Sequence, residues 1–390
     1  MASVFVRLLI VAALIQSAPA LAQTGRGRAW VGAWTASPQA QPLPLKPLKD
    51  VTVRQRIRLA AGGSELRLTI SNAYGTRPLV IGAASVRNGG TIVPITFGGD
   101  TTIAAAIGSP VLSDPVRLAV AAEDEVEVSL YLPEETLPET WHRSIATTPG
   151  GPVPTPGQIA AGDLTRQVAM PGASPSGLLF LSRIDVLPTR PVGAVVVLGT
   201  TRTVDSGWQD LLGRRLGPRF SVLNASMVAN PLTRPYPGGG DAALARFDRD
   251  VLMTPGISHV ILADAANDIG QAGREGRILP TVEGLAAAYR QLAARAHAQG
   301  VKVIVATVMP FGEVPFADFY SPEKEGVRQG LNAWLRSSRE FDGLIDMDAM
   351  LRDSGAPSRF RAGLDTANHF GPNDAGSRIV AETIDLSLFR

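Results

Sequence analysis

The sequence predicts two domains, a β-sandwich-like domain followed by an α/β domain with a doubly wound parallel sheet. The chain has 390 residues, which is more than one hydrophobic core usually serves. Between about residues 30 and 186, short segments alternate apolar and polar residues, as half-buried strands do. From about residue 190, continuous apolar runs alternate with helical patterns, which is typical of parallel strands buried on both faces. We therefore predict domains at 23–187 and 188–390.

In the first domain, the alternation is clearest at Val51–Arg58, Glu65–Ser71 and Glu125–Leu132. Clusters of Gly, Pro and Asn separate these segments, for example at Asn72–Pro78. Several short strands with turn signals between them favour an antiparallel sandwich. Residues 133–175 are rich in Pro, Thr and Gly, and we predict an extended surface loop there.

In the second domain, the first strand is predicted at Ala194–Leu198, an unbroken apolar run. A helix with an apolar stripe follows, and the alternation then repeats. Further strands are predicted at Phe220–Leu223, His259–Ala263, Val301–Val308 and Leu344–Met347, and further helices near 241–252, 281–298, 322–337 and 373–388. Ligands bind such sheets at the carboxyl ends of the strands, so functional side chains are expected in the loops that follow them.

The N-terminus predicts export. Arg7 precedes the apolar run Leu8–Ile15, and Ala20 and Ala22 are small residues at the positions that a signal peptidase reads. Residues 1–22 are therefore predicted to be a signal peptide, and the mature protein to be secreted or periplasmic. No later stretch is long and apolar enough to span a bilayer.

Composition excludes several classes of function. Cysteine is absent, which excludes disulfides, thiol nucleophiles and Cys-ligated metals. The formal net charge of +2 comes from scattered basic residues, so no nucleic-acid partner is predicted. No His, Asp and Glu residues have the spacing of metal ligands, and we predict neither a metal nor a cofactor. A histidine-dependent mechanism has four candidates, which are His142, His259, His297 and His369.

Four segments at the predicted strand ends resemble the sequence blocks of the SGNH (GDSL-type) hydrolases. That family normally reads Gly-Asp-Ser in its first block and Gly-x-Asn-Asp in its third. The matching segments are, in chain order, Val197–Thr203, Asn224–Asn230, Ala265–Asp268 and Asn368–Gly376. Trp30–Trp34 and Ser71–Gly75 also resemble the β domain of exported two-domain members. The resemblance thus covers nearly the whole mature chain and implies a flavodoxin-like sheet with an esterase site.

The residues at the catalytic positions differ from those of the family. The nucleophilic Ser corresponds to Thr201, the acid that orients the base to Asn368, and the base itself to Gly371. A hydroxyl needs an adjacent base to become a nucleophile, and that base needs an orienting group. Glycine accepts no proton, so the resemblance implies that no catalytic residue is intact.

The oxyanion hole is partly retained. Its Asn corresponds to Asn267, whereas its Gly corresponds to Ala229; Gly199 and Thr200 complete the first-block positions of the expected pocket. Ala229 keeps a backbone N–H, and its β-carbon is an obstacle only if the position requires a positive φ. Asn267 is equally well explained as a turn-forming residue whose amide bonds nearby backbone.

These residues favour an exported, catalytically impaired or inactive protein that binds a small ester, acyl or glycan ligand. The alternative is an active acyl-ester or carbohydrate-ester hydrolase with displaced groups. In that alternative a rearranged loop brings His369 to Thr201, and Asp365 orients His369. In the simpler explanation, Thr201 is a helix N-cap or turn residue, His369 fills a neighbouring position that another His commonly occupies in the family, and Asp365 is a solvated loop residue.

Overall fold

The computed structural model describes residues 29–143, 157–173, 175, 177–199, 207–236 and 238–390. The predicted signal peptide and two candidate site residues, Thr200 and Thr201, lie outside the described residues. The N-terminal part contains the strands β1 Val31–Thr35, β2 Gln39–Ala40, β3 Val51–Arg58, β4 Leu66–Ser71, β5 Leu79–Ile81, β6 Ala83–Asn88, β7 Thr91–Ile95, β8 Ile103–Ala105, β9 Pro110–Leu112, β10 Glu125–Leu132, β11 Thr140–Arg143, β12 Gly157–Ala161, β13 Gly177–Leu179 and β14 Leu181–Val186.

These strands form antiparallel sheets. A five-stranded sheet has the order β12-β3-β10-β6-β7, and a four-stranded sheet has the order β1-β14-β4-β9. Alternate residues of β4, which are Leu66, Leu68 and Ile70, are fully buried, as the alternating pattern requires. The β-sandwich-like prediction is therefore confirmed.

The prediction of one extended loop over residues 133–175 is wrong in part. β11 and β12 both lie within it, and β12 pairs with β3 at the edge of the five-stranded sheet. Its first residue, Gly157, packs so closely that a β-carbon would lie 1.8 Å from the carbonyl oxygen of Arg54. A glycine that suggested a turn in the sequence thus permits close strand pairing.

The C-terminal part alternates strands with helices. The strands are β15 Gly193–Gly199, β16 Phe220–Asn224, β17 Ile257–Ala263, β18 Lys302–Ala306 and β19 Gly343–Ile345. The helices are α1 Trp208–Leu216, α2 Ala243–Phe247 (continued by a π-helical turn, Asp248–Leu252), α3 Ala266–Gly270, α4 Val282–His297, α5 Pro322–Ser337, α6 Met347–Leu351 and α7 Asp374–Thr383, with short 3-10 turns at Gly217–Arg219, Arg274–Gly276 and Leu386–Phe389.

The sheet of this domain is parallel, with the order β16-β15-β17-β18-β19. Numbered from β15, that order is 2-1-3-4-5, which confirms the flavodoxin-like prediction. The last strand is shorter than predicted, because Asp346 accepts a hydrogen bond from Ala349 N at 3.1 Å and thereby starts α6 at Met347. The order places the topological switch point between β15 and β17.

The two parts share a close interface. Gly32 N donates to Pro255 O at 2.9 Å, and Ser37 Oγ donates to Ala225 O at 2.9 Å. A β-carbon on Gly32 would lie 2.8 Å from Leu223 Cδ1, so β1 packs directly on β16. β14 ends at Val186 and β15 begins at Gly193, while the boundary between 187 and 188 stays a prediction.

We expect a fragment of residues 190–390 to be less stable and more prone to association than the whole chain. Removing β1 exposes the apolar surface around Leu223, which is 2% exposed in the intact chain. Chemical denaturation and size-exclusion chromatography of both proteins measure the difference. A monomeric fragment that unfolds at the same denaturant concentration as the whole chain would contradict this expectation.

Candidate functional site

The candidate site lies at the carboxyl ends of β15 and β17. Gly199, the last residue of β15, is paired in register with Ala263, the last residue of β17. Both strands flank the switch point, where doubly wound sheets bind their ligands. The loop after β16 approaches the same place, since Met227 N donates to Gly199 O at 3.0 Å. Three of the four block segments therefore converge here.

Ala229 adopts the left-handed conformation, with φ +56°. A positive φ is the condition under which the β-carbon of Ala229 is an obstacle in the expected oxyanion hole. Ala265, which corresponds to the Gly of the third block, is also left-handed, with φ +87°. An L-residue with a β-carbon pays roughly 1 to 2 kcal/mol for this conformation. Both loops thus keep a glycine-type backbone although the glycines are absent.

Asn267 joins two of the block segments. Its Nδ2 donates to Asn230 O at 3.1 Å, and the residue is 1% exposed. The neighbouring Asp268 accepts hydrogen bonds from Leu232 N at 2.6 Å and Thr233 N at 2.9 Å. The Asn267 amide therefore binds nearby backbone, in line with the explanation of Asn267 as a turn-forming residue. It does so at the position where the family resemblance implies an oxyanion donor.

Arg246 is a supporting residue that the sequence reasoning missed. Its guanidinium is fully buried and donates to Asn230 Oδ1 at 2.8 Å, to Asp250 Oδ2 at 3.0 Å and to Ala225 O at 2.6 Å. It also donates to Ser37 Oγ of the N-terminal part at 3.1 Å. A single side chain thus holds the second-block loop and the interface between the two parts. An aspartate four residues after the arginine is a sequence signal for such a pair.

The last block brings His369 and Asp365 together. His369 Nδ1 lies 2.5 Å from Asp365 Oδ2, and the Asp365 side chain is 13% exposed. Asp365 is therefore an orienting partner rather than a solvated loop residue, which corrects the simpler explanation. This hydrogen bond leaves His369 Nε2 as the ring nitrogen available for a proton transfer.

Asn368 and Gly371 stand at the positions that correspond to the family's acid and base. Asn368 Oδ1 accepts a hydrogen bond from Thr366 Oγ1 at 2.9 Å. Gly371 is buried, yet no described atom lies within 4 Å of the place where its β-carbon would stand. The loop consequently has room for the side chain that glycine lacks. The roles assigned to these positions, and to Gly199, Ala229 and Asn267, stay predictions.

The other three histidines have structural partners. His142 lies in β11, where its Nδ1 is 2.9 Å from Ser37 O, and burial lowers its pKa. His259 packs in β17 against Phe220 and Phe389, and burial lowers its pKa to about 4. His297 Nε2 is 2.8 Å from Asp342 Oδ2 near the end of α4. Within the described residues, no group of three or more acidic or histidine side chains is arranged to hold a metal ion.

Asp264, directly after β17, is an acid near the site whose pKa is shifted far from its ordinary value. It is 4% exposed, and its Oδ1 accepts a hydrogen bond from Ala265 N at 2.8 Å. Burial, followed by the charge of Asp268, raises its pKa well above the usual range. Asp264 was not among the predicted site residues, because a lone Asp after a strand has no diagnostic spacing.

We expect Asp264→Asn to stabilise the protein at high pH and to have little effect at low pH. The pKa of Asp264 is higher in the folded state than in the unfolded state. Its contribution to the free energy of unfolding is therefore fully present below about pH 4, and it is lost as the pH rises through the folded-state pKa. Asparagine keeps the same shape without a charge. Unfolding free energies of both proteins between pH 4 and 9 test this, and identical pH profiles would contradict it.

A cavity of about 550 Å³ lies away from the candidate site. Its walls include Val192, Phe220 and Gly62, from the amino-terminal side of the parallel strands and the adjoining β domain. The blocks lie at the opposite ends of those strands. Cavity size alone therefore does not identify the candidate site.

Comparisons with known proteins identify the family of the α/β part. Residues 191–379 match the GDSL-like lipase/acylhydrolase family. The α/β part of the chain is therefore a member of the GDSL-type, or SGNH, hydrolase family. No curated protein matches the chain.

Several solved structures are similar to the chain at low identity. The aryl esterase of M. smegmatis is 14% identical over 49% of this chain and 95% of its own, with a TM-score of 0.40. A GDSL-like lipase of Bacteroides thetaiotaomicron is 16% identical over 50% of this chain and 87% of its own, with a TM-score of 0.39. The protein YxiM of Bacillus subtilis is 15% identical over 84% of this chain and 77% of its own, with a TM-score of 0.37. Among the described residues, no helix is long and apolar enough to cross a membrane.

Proposed function

We propose that this protein binds an ester, acyl or glycan ligand at the carboxyl ends of β15 and β17 and does not hydrolyse it by the mechanism of its family. The observation that carries the proposal is Gly371. The family's base would stand there, and the space that a side chain would enter contains no described atom within 4 Å of the β-carbon position. Without a base, a hydroxyl at position 201 keeps its proton and remains a poor nucleophile.

The proposal retains ligand binding because the loops of the site keep their shape. Ala229 and Ala265 hold left-handed conformations that favour glycine, and Asn267 and Asp268 fasten these loops to each other. A crevice at the switch point of such a sheet is the usual place for a ligand. We further propose that residues 1–22 direct export, so that the ligand is met in the periplasm or outside the cell.

The second candidate function is ester hydrolysis by a displaced pair, His369 and Asp365. The hydrogen bond of 2.5 Å between them favours it, because an orienting carboxylate on Nδ1 leaves Nε2 free to act as a base. In this mechanism Nε2 takes the proton of the Thr201 hydroxyl as its oxygen attacks the ester carbonyl. The same nitrogen then returns the proton to the leaving alcohol, which leaves an acyl ester on Thr201. A water molecule that gives its proton to Nε2 attacks this ester, releases the acid and restores the threonine hydroxyl.

We expect the native mature protein to hydrolyse 4-nitrophenyl acetate no faster than its Thr201→Ala and His369→Ala variants. Without the family's base, the reaction is limited to what ligand binding and an altered oxyanion hole provide. Initial rates at several protein concentrations measure this. Native turnover that His369→Ala abolishes and Asp365→Asn reduces would overturn the proposal and establish the displaced pair.

A further inference from the structure

The cavity of about 550 Å³ lies between the two parts of the chain, and the proposed function does not use it. One wall comes from the β-domain loops at 60–64 and 119–123, and the opposite wall comes from α1 and β16. The linker between β14 and β15 forms a third side. Small-molecule sites have volumes of roughly 300 to 1,000 Å³ and often lie between domains. The volume and the position of this cavity therefore fit a binding site.

The β-domain wall is built from small residues. Alanine and glycine occupy positions 60–63, 119, 121 and 122 of the lining. The two loops are joined by hydrogen bonds from Gly63 N to Val120 O and from Val120 N to Gly63 O, each of 2.9 Å. A β-carbon on Gly62 would lie 2.6 Å from Val120 O, so glycine permits this close approach. Short side chains on a fixed backbone thus leave the space open and give it an apolar surface.

The α/β wall is also apolar. Phe220 and Val222 of β16 line it, and Phe220 is held by edge-to-face packing on Phe389, with ring centroids 6.2 Å apart. Gly213 of α1 lines the same wall. A β-carbon there would make an ordinary contact with Val222, at 3.5 Å from its Cβ, so glycine is not required by packing. Its absence of a side chain enlarges the cavity, and the two walls fit a hydrocarbon group.

One charge in the lining is uncompensated. Glu123 Oε2 accepts a hydrogen bond from Arg214 at 3.0 Å, and Asp210 Oδ2 accepts one from Arg58 at 3.1 Å. Arg190 also lines the cavity, but it has no hydrogen-bond or salt-bridge partner among the described residues. Because the other charged groups of the lining are paired, the complementary ligand group is an anion.

The linker fixes the backbone that carries Arg190. Leu187 O accepts a hydrogen bond from Ser64 N at 3.0 Å, which anchors the start of the linker to the β domain. The linker ends where β15 joins the parallel sheet. Pro188 and Pro191 flank the arginine and restrict the backbone between these two anchors. The cation is therefore held at the cavity before a ligand arrives, which reduces the entropic cost of binding.

We propose that this cavity is a second ligand site, which binds a medium-chain carboxylate with its hydrocarbon chain between the two walls and its carboxylate at Arg190. The apolar walls disfavour sugars and small inorganic anions, because these would lose hydration without gaining partners. The unpaired cation favours an anion over a neutral lipid. The site is separate from the crevice, since it lies at the amino-terminal side of the parallel strands.

The test uses the full mature chain and titration calorimetry with decanoate, butanoate and 1-decanol, each below the concentration at which it aggregates. We expect decanoate to bind at least about thirtyfold more tightly than butanoate, because its additional methylene groups are buried. It should bind about fivefold more tightly than 1-decanol, because a partly exposed ion pair contributes modestly. Arg190→Gln should remove this second difference. Arg166→Gln, which alters an exposed arginine outside the lining, should preserve it.

Gly213→Leu is the second variant, because it fills the cavity from α1 without changing the charges. It should weaken decanoate binding by at least about tenfold. Gly213→Ala is its matched control and should retain the affinity within about threefold, since a single β-carbon occupies little of the space. Both substitutions replace glycine by a better helix former, so both variants are expected to fold. Gly371→Phe, which places a side chain in the loop beside the crevice, should leave decanoate binding unchanged.

Equal decanoate binding by the native protein and Gly213→Leu would overturn the inference, as would equal binding by the native protein and Arg190→Gln. Loss of binding in Gly371→Phe but not in Gly213→Leu would overturn the second site and support ligand binding in the crevice. Failure of decanoate to bind the native protein would overturn the second site without bearing on the crevice. A native dimer that Gly213→Leu dissociates, with no decanoate binding, would overturn the inference and assign the cavity to a second copy of the chain.

Discussion

The combined change Thr201→Ser, Ala229→Gly, Asn368→Asp and Gly371→His is expected to produce an active esterase, with turnover of 4-nitrophenyl acetate at least about 10³-fold above that of the native protein. Loss of a nucleophile or base costs on the order of 10⁶ in turnover, and the parts of a triad act as a unit. The structure favours recovery at two of these positions. A side chain at 371 has room, and glycine relieves the left-handed backbone at 229.

The matched control is the triple variant that keeps Gly371. It carries the restored nucleophile, acid and oxyanion position but no base at 371, so its rate should stay at the native level. Gly371→His alone should also be inactive, because its orienting acid is absent. If the triple variant is as active as the quadruple variant, then His369 rather than position 371 supplies the base.

Arg246→Leu is expected to destabilise the protein by about 3 kcal/mol, because buried Asn230 Oδ1 loses its donor and buried Asp250 keeps only Arg249 as a charge partner. The guanidinium is 0% exposed and Asp250 is 2% exposed. Asn230 Oδ1 and Ser37 Oγ lose their guanidinium donor in this variant. Urea denaturation measures the change in unfolding free energy.

Arg290→Ala is the control for this loss. Arg290 pairs with Glu340 at 2.7 Å, but both side chains are nearly half exposed, so water replaces the interaction and the unfolding midpoint should hardly move. The loss in unfolding free energy for Arg246→Lys should lie between those of Arg246→Leu and Arg290→Ala, since lysine keeps a charge but not the several donors of the guanidinium. An Arg246→Leu variant as stable as Arg290→Ala would show that the network does not hold the interface.

Patterns along the chain predicted most of the architecture. The apolar run that became β15 and the helical stripe of α5, predicted and observed at 322–337, depend on local periodicity that tertiary contacts did not override. The short helices α3 and α6 were missed because five residues are too few for a periodic pattern. The strand β12 was missed because its residues resemble a loop and because its partner strand, β3, lies about 100 residues earlier in the chain, as the pairing of Gly157 with Gln55 shows.

The candidate site was predictable where the family's blocks provide a template and not where distant residues meet. Ala229, Asn267 and Gly371 were located by resemblance, whereas the burial of Asp264 and the partners of Arg246 depend on packing between elements far apart in sequence. The pairing of His369 with Asp365 was considered but not favoured. Spacing of four residues in a loop does not determine whether two side chains meet.

The left-handed alanines at 229 and 265 bear on how easily this chain exchanges one activity for another. Their backbone shape is supported by neighbouring hydrogen bonds, such as those that Asp268 accepts from Leu232 N and Thr233 N, and does not depend on glycine at either position. The side chains at 229 and 265 can therefore be replaced while the hydrogen bonds of Asn267 and Asp268 preserve the geometry around the crevice. Such a chain is a suitable starting point for laboratory evolution, because new catalytic groups can be tried without rebuilding the loops that present them.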